Sequence, residues 1–236
     1  MRTKSIATAV GVLLLLVATV APDASRSVSA APADSTRRTD SHVEWPGWRG
    51  ARQSGAVSDP AFTIGARDGL RMVWKRELGT GYSSVSVVRG HAVTLFGDGQ
   101  YDYVVSLDPR TGREQWRYRL GPTFKAPVQS NDGPLSTPAI GHGLVFAIAP
   151  RGRVVALRLE SGALVWSRDL VVELGAEVPY FGFSTSPLLA GRVVCIQAGG
   201  SNGSIVAFDV HVFHVRQDRS ARLFVSLDDE IVLMIL

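Results

Sequence analysis

The sequence has very little cysteine and no concentrated charge, and both absences limit what the chain can be. Cys195 is the only cysteine in 236 residues, so no intrachain disulfide can form and no Cys/His cluster suggests zinc or haem. Because this thiol lies between Val194 and Ile196, we expect a buried strand residue. The 25 basic side chains are scattered among 21 acidic ones, which argues against a nucleic-acid partner.

A hydrophobic run long enough for an ordinary transmembrane helix is also missing. The longest run, Ile6 to Ala21, has sixteen residues, follows two basic residues and leads to the small residues Val28-Ser29-Ala30. This pattern is typical of a cleaved secretory signal. We therefore predict a signal peptide at 1–30, a flexible lead-in at 31–43 and a periplasmic or secreted protein. No cysteine follows the run to accept a lipid, so a membrane is expected as a partner only through an uncleaved signal.

Helical periodicity is absent as well. No stretch keeps apolar residues at i, i+3, i+4 and i+7 over three turns, whereas short runs rich in Val and aromatics alternate with Gly and Asp turns from Met72 onwards. The first of these runs is 72–78. The segment WPGWRG before it, Trp45 to Gly50, is expected to be irregular and docked on the strands. With 45% hydrophobic residues, the sequence predicts an all-β protein with a real core.

What the chain does contain is a repeat of about fifty residues. Residues 86–93, 138–145 and 187–194 align without a gap as an apolar strand, a tight turn and a second strand. Further along, VVSLD, VVALR and IVAFD align at Leu107, Leu157 and Phe208. Each unit therefore predicts four strands in a meander.

Two of the units end in a turn followed by tryptophan, LDPRTGREQW at 107–116 and LRLESGALVW at 157–166. Asp, Pro and Gly favour a tight hairpin turn, and the Trp four residues after the Gly falls on the outermost strand, where its ring can pack against the neighbouring unit. The residues that we assign to this structural role are Trp74, Asp108, Gly112, Trp116, Gly162, Trp166 and Asp209.

The pattern D-x-x-T-G-x-x-x-W, preceded by S-x-P and an apolar hairpin, resembles the pyrroloquinoline-quinone (PQQ)-type propeller repeat of quinoprotein alcohol dehydrogenases and BamB-like proteins. The resemblance covers Trp45 to about Asp209 and implies a β-propeller of four-stranded antiparallel blades at 44–209. WPGWRG and GFSTSPLL (182–189) are similar to segments of exported bacterial members.

For quinone-dependent members, the resemblance implies a catalytic Asp and calcium ligands from Glu and Asn. No such set can be matched in this sequence, so PQQ and calcium are expected only in an intact parent protein, and no cofactor is assigned to this chain. Fold alone does not carry activity over.

The repeat stops after Asp209. The third unit would place Gly at position 213 and Trp at 217, where the sequence has Phe213 and Gln217. We therefore predict about three blades in a ring that is not closed, and an aberrant tail at 210–236 that can add strands at 221–227 and 230–236. A shift of reading frame near Asp209 is our hypothesis for the change. An open blade edge also predicts self-association.

Two connections are longer than a hairpin needs, 119–135 and 169–183. In a propeller they lie on one face, so we predict that a protein or small-molecule ligand binds there; the alternative is that they only cover the channel entrance. The residues that we assign to ligand binding are Tyr82, Ser83, Asp132, Tyr180, Phe181, Phe183 and Ser184.

No catalytic residue and no metal site is predicted. The stretch 79–84 lacks the Lys and the helix of a phosphate loop, and FGFSTSP is not a G-x-S-x-G nucleophile turn. His211 and His214 have no third ligand in view. The sequence thus favours a non-catalytic binding or scaffold module. The alternative is a fragment of a periplasmic quinoprotein dehydrogenase for an alcohol or sugar, so enzymatic activity stays open.

Overall fold

Three antiparallel sheets form an incomplete β-propeller. The computed structural model describes residues 44–57, 71–127, 130, 132–200, 203–211, 222–227 and 230–235. The predicted signal peptide (1–30) and lead-in (31–43), together with Phe213, His214 and Gln217, lie outside these residues. The predicted all-β blade architecture is confirmed, and in the described part of the chain the sheets do not close a ring.

Within the described residues, blades 1 and 2 have four strands each, and blade 3 has three. Blade 1 consists of β1 (Ser86–Val88), β2 (His91–Gly97), β3 (Tyr101–Leu107) and β4 (Glu114–Pro122). Blade 2 consists of β5 (Ala139–Gly141), β6 (Leu144–Ile148), β7 (Arg153–Arg158) and β8 (Leu164–Asp169), and blade 3 of β9 (Leu188–Ala190), β10 (Val193–Gly200) and β11 (Gly203–Asp209). A separate hairpin pairs β12 (Arg222–Leu227) with β13 (Glu230–Ile235), close to the two strands expected in the tail.

The core lies between the blades because successive side chains of a strand point to opposite faces of its sheet. On β6, Val145 and Ala147 belong to the cluster shared with blade 1, whereas Phe146 and Ile148 belong to the cluster shared with blade 3. Slipping β6 by one residue would exchange the two faces, so the apolar pattern fixes the register on both sides. Cys195 on β10 is buried, as expected, and burial raises the pKa of its thiol.

The WPGWRG segment is docked on the innermost strands. Trp45 forms an isolated bridge with Val87 of β1, with N–O distances of 2.8 Å in both directions. The carbonyl of Pro46 accepts a 2.7 Å hydrogen bond from the Ile140 amide of β5. The segment therefore spans the inner edges of blades 1 and 2.

Successive blades are joined at the turn edge, which we define as the end of the blades that carries residues 108–112, 158–162 and 209–211. Each Trp indole N–H donates to a carbonyl at the same position of the next turn: Trp74 to Pro109 (2.9 Å), Trp116 to Leu159 (2.7 Å) and Trp166 to Val210 (3.3 Å). A Cβ on Gly162 would lie 2.6 Å from the Trp116 ring, which explains the glycine there.

The third turn begins as the first does. Asp108 Oδ1 accepts from the Arg110 amide at 2.8 Å, and Asp209 Oδ1 accepts from the His211 amide at 2.9 Å. The repeat geometry therefore continues through His211, two residues beyond the last residue that the sequence repeat covers.

Three details differ from the sequence predictions. Residues 72–78 form no strand ladder, since the described residues supply no neighbouring strand; side-chain contacts of Trp74 and Arg76 dock them on blade 1 instead. The connection predicted at 119–135 is shorter, because β4 continues to Pro122. The connection at 169–183 contains a short helix, α1 (Leu170–Leu174), whose first amides, Val171 and Val172, donate to the Asp169 carboxylate.

Candidate functional site at the loop edge

The loop edge is the end of the blades opposite the turn edge. It consists of the described residues that enter or leave strands at that end, namely 79–85, 98–100, 123–127, 130, 132–138, 149–152 and 170–187. Neighbouring loops are tied by hydrogen bonds: the Tyr82 amide donates to the Pro134 carbonyl (2.8 Å), and the Thr137 amide donates to Ser186 Oγ (2.9 Å). The loops therefore form one continuous surface.

Two adjacent aromatic side chains of the 170–187 connection are exposed on this surface. Tyr180 is 75% exposed and Phe181 is 52% exposed, and their rings meet edge to face with centroids 4.9 Å apart. We call this pair the aromatic platform. Large apolar side chains side by side in water are the usual mark of a contact surface rather than of packing.

The chain beside the platform is firmly anchored. Phe183 is 3% exposed, and its amide donates to the Pro150 carbonyl at 2.8 Å. Gly182 has φ +79° and closes a turn onto the Pro179 carbonyl at 2.7 Å; a Cβ on Gly182 would lie 2.7 Å from Pro150. The platform therefore rests on a rigid turn.

Some of the predicted ligand-binding residues are exposed, whereas others are buried or bound to the backbone. Tyr82, Tyr180, Phe181 and Ser184 are exposed at the loop edge, Tyr82 by 50%, with its hydroxyl 3.4 Å from Ser130 Oγ. Ser83 is instead bound to the backbone of Ser84 and Leu95. Phe183 is the anchor just described.

Asp132 ties its own loop together. Its carboxylate accepts from Lys125 Nζ at 2.8 Å and from the Ala126 amide at 3.0 Å. The hydrogen bond from Lys125, followed by that from Ala126, lowers the pKa of this carboxyl. These contacts give Asp132 a role in the shape of the loop.

A buried carboxyl, Asp102 of β3, was not predicted from the sequence. It is 1% exposed, and burial raises its pKa to about 6, against the opposing hydrogen bond from the Phe124 amide. The available signal was an Asp in YDYVVSL at a position that alternates with Tyr101 and Tyr103, and hence on the face turned toward the core. Phe124 is 7% exposed and was not predicted either, because it lies in a loop that the sequence repeat does not cover.

The described residues contain no group of three His, Cys, Asp or Glu side chains placed to hold a metal ion. Within the same residues, no helix is long and apolar enough to cross a membrane.

The fold and the repeated Trp-to-turn contact define the class: the chain is a β-propeller repeat protein. A family described as "Outer membrane protein assembly factor BamB" matches residues 100–216. Residues 100–216 are therefore similar to the PQQ-like β-propeller repeat of BamB-like proteins, the resemblance that the sequence motifs indicate.

Individual relatives are distant. The chain is 27% identical to the outer membrane protein assembly factor BamB of Burkholderia pseudomallei over 60% of this chain and 43% of that protein. It is 27% identical to BamB of Nitrosomonas eutropha over 48% of this chain and 29% of that protein. The chain thus spans less than half the length of these curated relatives. A solved quinohemoprotein alcohol dehydrogenase of Pseudomonas putida is 23% identical over 58% of this chain and 20% of its own, with a TM-score of 0.43.

Proposed function

We propose that this chain is an exported, non-catalytic propeller module that binds a protein through the aromatic platform at its loop edge. The observation that carries the proposal is the exposure of Tyr180 and Phe181 on an anchored turn. Aromatic side chains are enriched among the residues that dominate the energy of protein interfaces.

The anchored turn favours binding because the backbone beside the platform is already ordered and loses little conformational entropy when a partner binds. Gly182 and Phe183 fix the backbone beside the platform, so ordering on binding costs less than it would for a free loop. The Tyr180 and Phe181 side chains are not needed to attach the loop to blade 2, because the buried Phe183 already does so through its hydrogen bond to Pro150.

The relatives support a protein partner rather than a small molecule. Both BamB proteins that match are named as assembly factors of outer membrane proteins, which is a role among other proteins. A periplasmic location, reached through the predicted signal at 1–30, agrees with that role.

Site-specific crosslinking in cells tests the proposal. A photoreactive residue is placed at Tyr180, or at Leu164 as a control, an apolar side chain that is 46% exposed near the turn edge. We expect a defined protein adduct from position 180 and none from 164. The double substitution Tyr180→Ser/Phe181→Ser should weaken binding of the identified partner at least about tenfold. Equal adducts at both positions would contradict the proposal.

Reconstitution separates this function from the quinoprotein alternative. The intact parent protein, in which the alternative expects the cofactor, is incubated with PQQ and calcium and then assayed for bound quinone and for dye-linked alcohol oxidation. We expect neither, and turnover above a no-protein control would replace the binding function by an oxidoreductase.

A further inference from the structure

Asp102 carries a buried carboxyl that the blade repeat does not use. Its Oδ1 and the neighbouring Thr123 Oγ1 are buried without a hydrogen-bond partner among the described residues. Its cross-strand neighbours are Gly97 and Gly121. A Cβ on Gly97 would lie 2.8 Å from Asp102 Oδ1, so the carboxyl fills a niche that exists because position 97 has no side chain.

Phe124 connects this carboxyl to the aromatic platform. Its amide donates to Asp102 Oδ2 at 3.2 Å, and its carbonyl accepts from the Gly133 amide at 3.0 Å. Its ring lies against Gly182, since a Cβ there would be 3.3 Å from Phe124 Cζ. Gly182 directly follows Phe181, so one residue links the carboxyl to both long loops.

The charged groups that act on Asp102 come from the two neighbouring loops. Arg151, in the β6–β7 turn, favours the carboxylate and also lies over the Phe124 ring at 5.7 Å. Asp132 disfavours the carboxylate, but is itself paired with Lys125. Burial outweighs these charges and raises the pKa of Asp102 to about 6.

We propose that Asp102 is a proton-operated latch that holds Thr123 and Phe124 in place and, through the Phe124 ring, supports the aromatic platform. While protonated, the carboxyl stays buried without the cost of a desolvated charge. Once ionised, it gains hydration by reaching water, which requires Thr123 and Phe124 to move away. Phe124 then leaves Gly182, and the platform loses its support. As a regulatory device, the latch rests on the proposed function of the platform.

The sign of the pH dependence follows from the shift. The closed latch raises the pKa of Asp102 from an ordinary 3.8 to about 6, so its stabilisation is complete below 3.8 and is lost as the pH rises through 6. Opening should become up to about a hundredfold more favourable between pH 4 and pH 7.5.

Backbone amide NMR of the full chain between pH 4.5 and 8 tests the latch without any partner. We expect the amide signals of Phe124 and Gly182 to shift with a common midpoint near 6. Asp102→Asn should abolish both transitions, whereas the control Glu77→Gln, which removes an exposed carboxyl outside the loop edge, should retain them. A transition that survives in Asp102→Asn, or a silent Gly182 in the wild type, would overturn the proposal.

A second variant keeps the carboxyl in case Asp102→Asn does not fold. Phe124→Leu retains the backbone donor to Asp102 but removes the ring from Gly182 and Arg151. The amide at position 124 should still titrate, whereas that of Gly182 should no longer respond; a Gly182 that still titrates contradicts the coupling. Because no ligand is present, these outcomes do not depend on whether the platform binds a protein.

Discussion

The turn edge of the blades repeats one contact, whereas the loop edge varies from blade to blade. At the turn edge, the same contact occurs three times: an indole N–H donates to a carbonyl of the next turn, at 2.9, 2.7 and 3.3 Å. At the loop edge, each connection is different, and one contains a helix while another carries a buried carboxyl beneath it.

The difference separates stability from binding. Contacts that recur in every unit hold neighbouring blades together, as nearest-neighbour terms do in repeat proteins. Residues without a counterpart in the other units, such as Tyr180 and Asp102, are free to serve a partner or a switch. Substitutions at the turn edge should therefore lower stability, whereas those at the loop edge should change binding or its pH dependence.

Gly162→Ala should give the largest loss of stability. The new methyl would lie 2.6 Å from Trp116 in a backbone with φ +69°, so steric overlap adds to conformational strain. We expect a loss of about 3–4 kcal/mol in unfolding free energy by urea titration. Gly143→Ala is the control: its φ is +72° and no heavy atom lies within 4 Å, so about 1 kcal/mol is expected. Equal losses would mean that the ring contact is unimportant.

Trp116→Phe should rank second. It leaves the Leu159 carbonyl, now bound at 2.7 Å, without its donor and opens space between blades 1 and 2. We expect a loss of about 2–3 kcal/mol in chemical denaturation. Trp74→Phe should cost only about 1 kcal/mol, because the Trp74 to Pro109 bond is half-buried and water can replace it. A larger effect at Trp74 would reverse the ranking of the two contacts.

Asp102→Asn should change the pH dependence of stability. In the wild type, the raised pKa of Asp102 contributes stability below pH 3.8 that is lost as the pH rises through about 6. Asp102→Asn has no carboxyl to ionise and does not lose this stability. Its unfolding free energy relative to the wild type should therefore rise by about 2 kcal/mol between pH 4 and pH 7.5. Thermal melts at both pH values measure the difference. A constant offset would show that the pKa of Asp102 is the same in the folded and the unfolded chain.

The turn edge could be predicted from the sequence because its geometry needs particular residue types. Gly162 must accommodate a positive φ under an indole ring, and Asp108 must accept backbone amides, so both leave a periodic mark. The same periodicity predicted the blade strands and their order. It failed at 72–78, where local strand propensity is present but no neighbouring strand in the described residues completes the sheet.

The sequence predicted where the long connections of the loop edge lie, but not the contacts within them. Loop length identified the connections, and exposed aromatics could be proposed as contacts. Asp102 and Phe124 act through a tertiary contact between a strand and a loop 22 residues further along the chain, which no local pattern encodes. The short helix α1 was hidden for a related reason: five residues held by the Asp169 cap are too few to show helical periodicity.

Tyr180→Ser/Phe181→Ser should have the smallest effect on stability. Both rings are mostly in water and contact each other, so removing them should change the unfolding free energy by less than about 0.5 kcal/mol in the same urea titration. Phe183→Ser, two residues away, removes a side chain that is 3% exposed and should cost several-fold more. If the double variant instead destabilised the chain as much as Phe183→Ser does, the platform would be part of the core, and the division between a stabilising turn edge and a binding loop edge would fail.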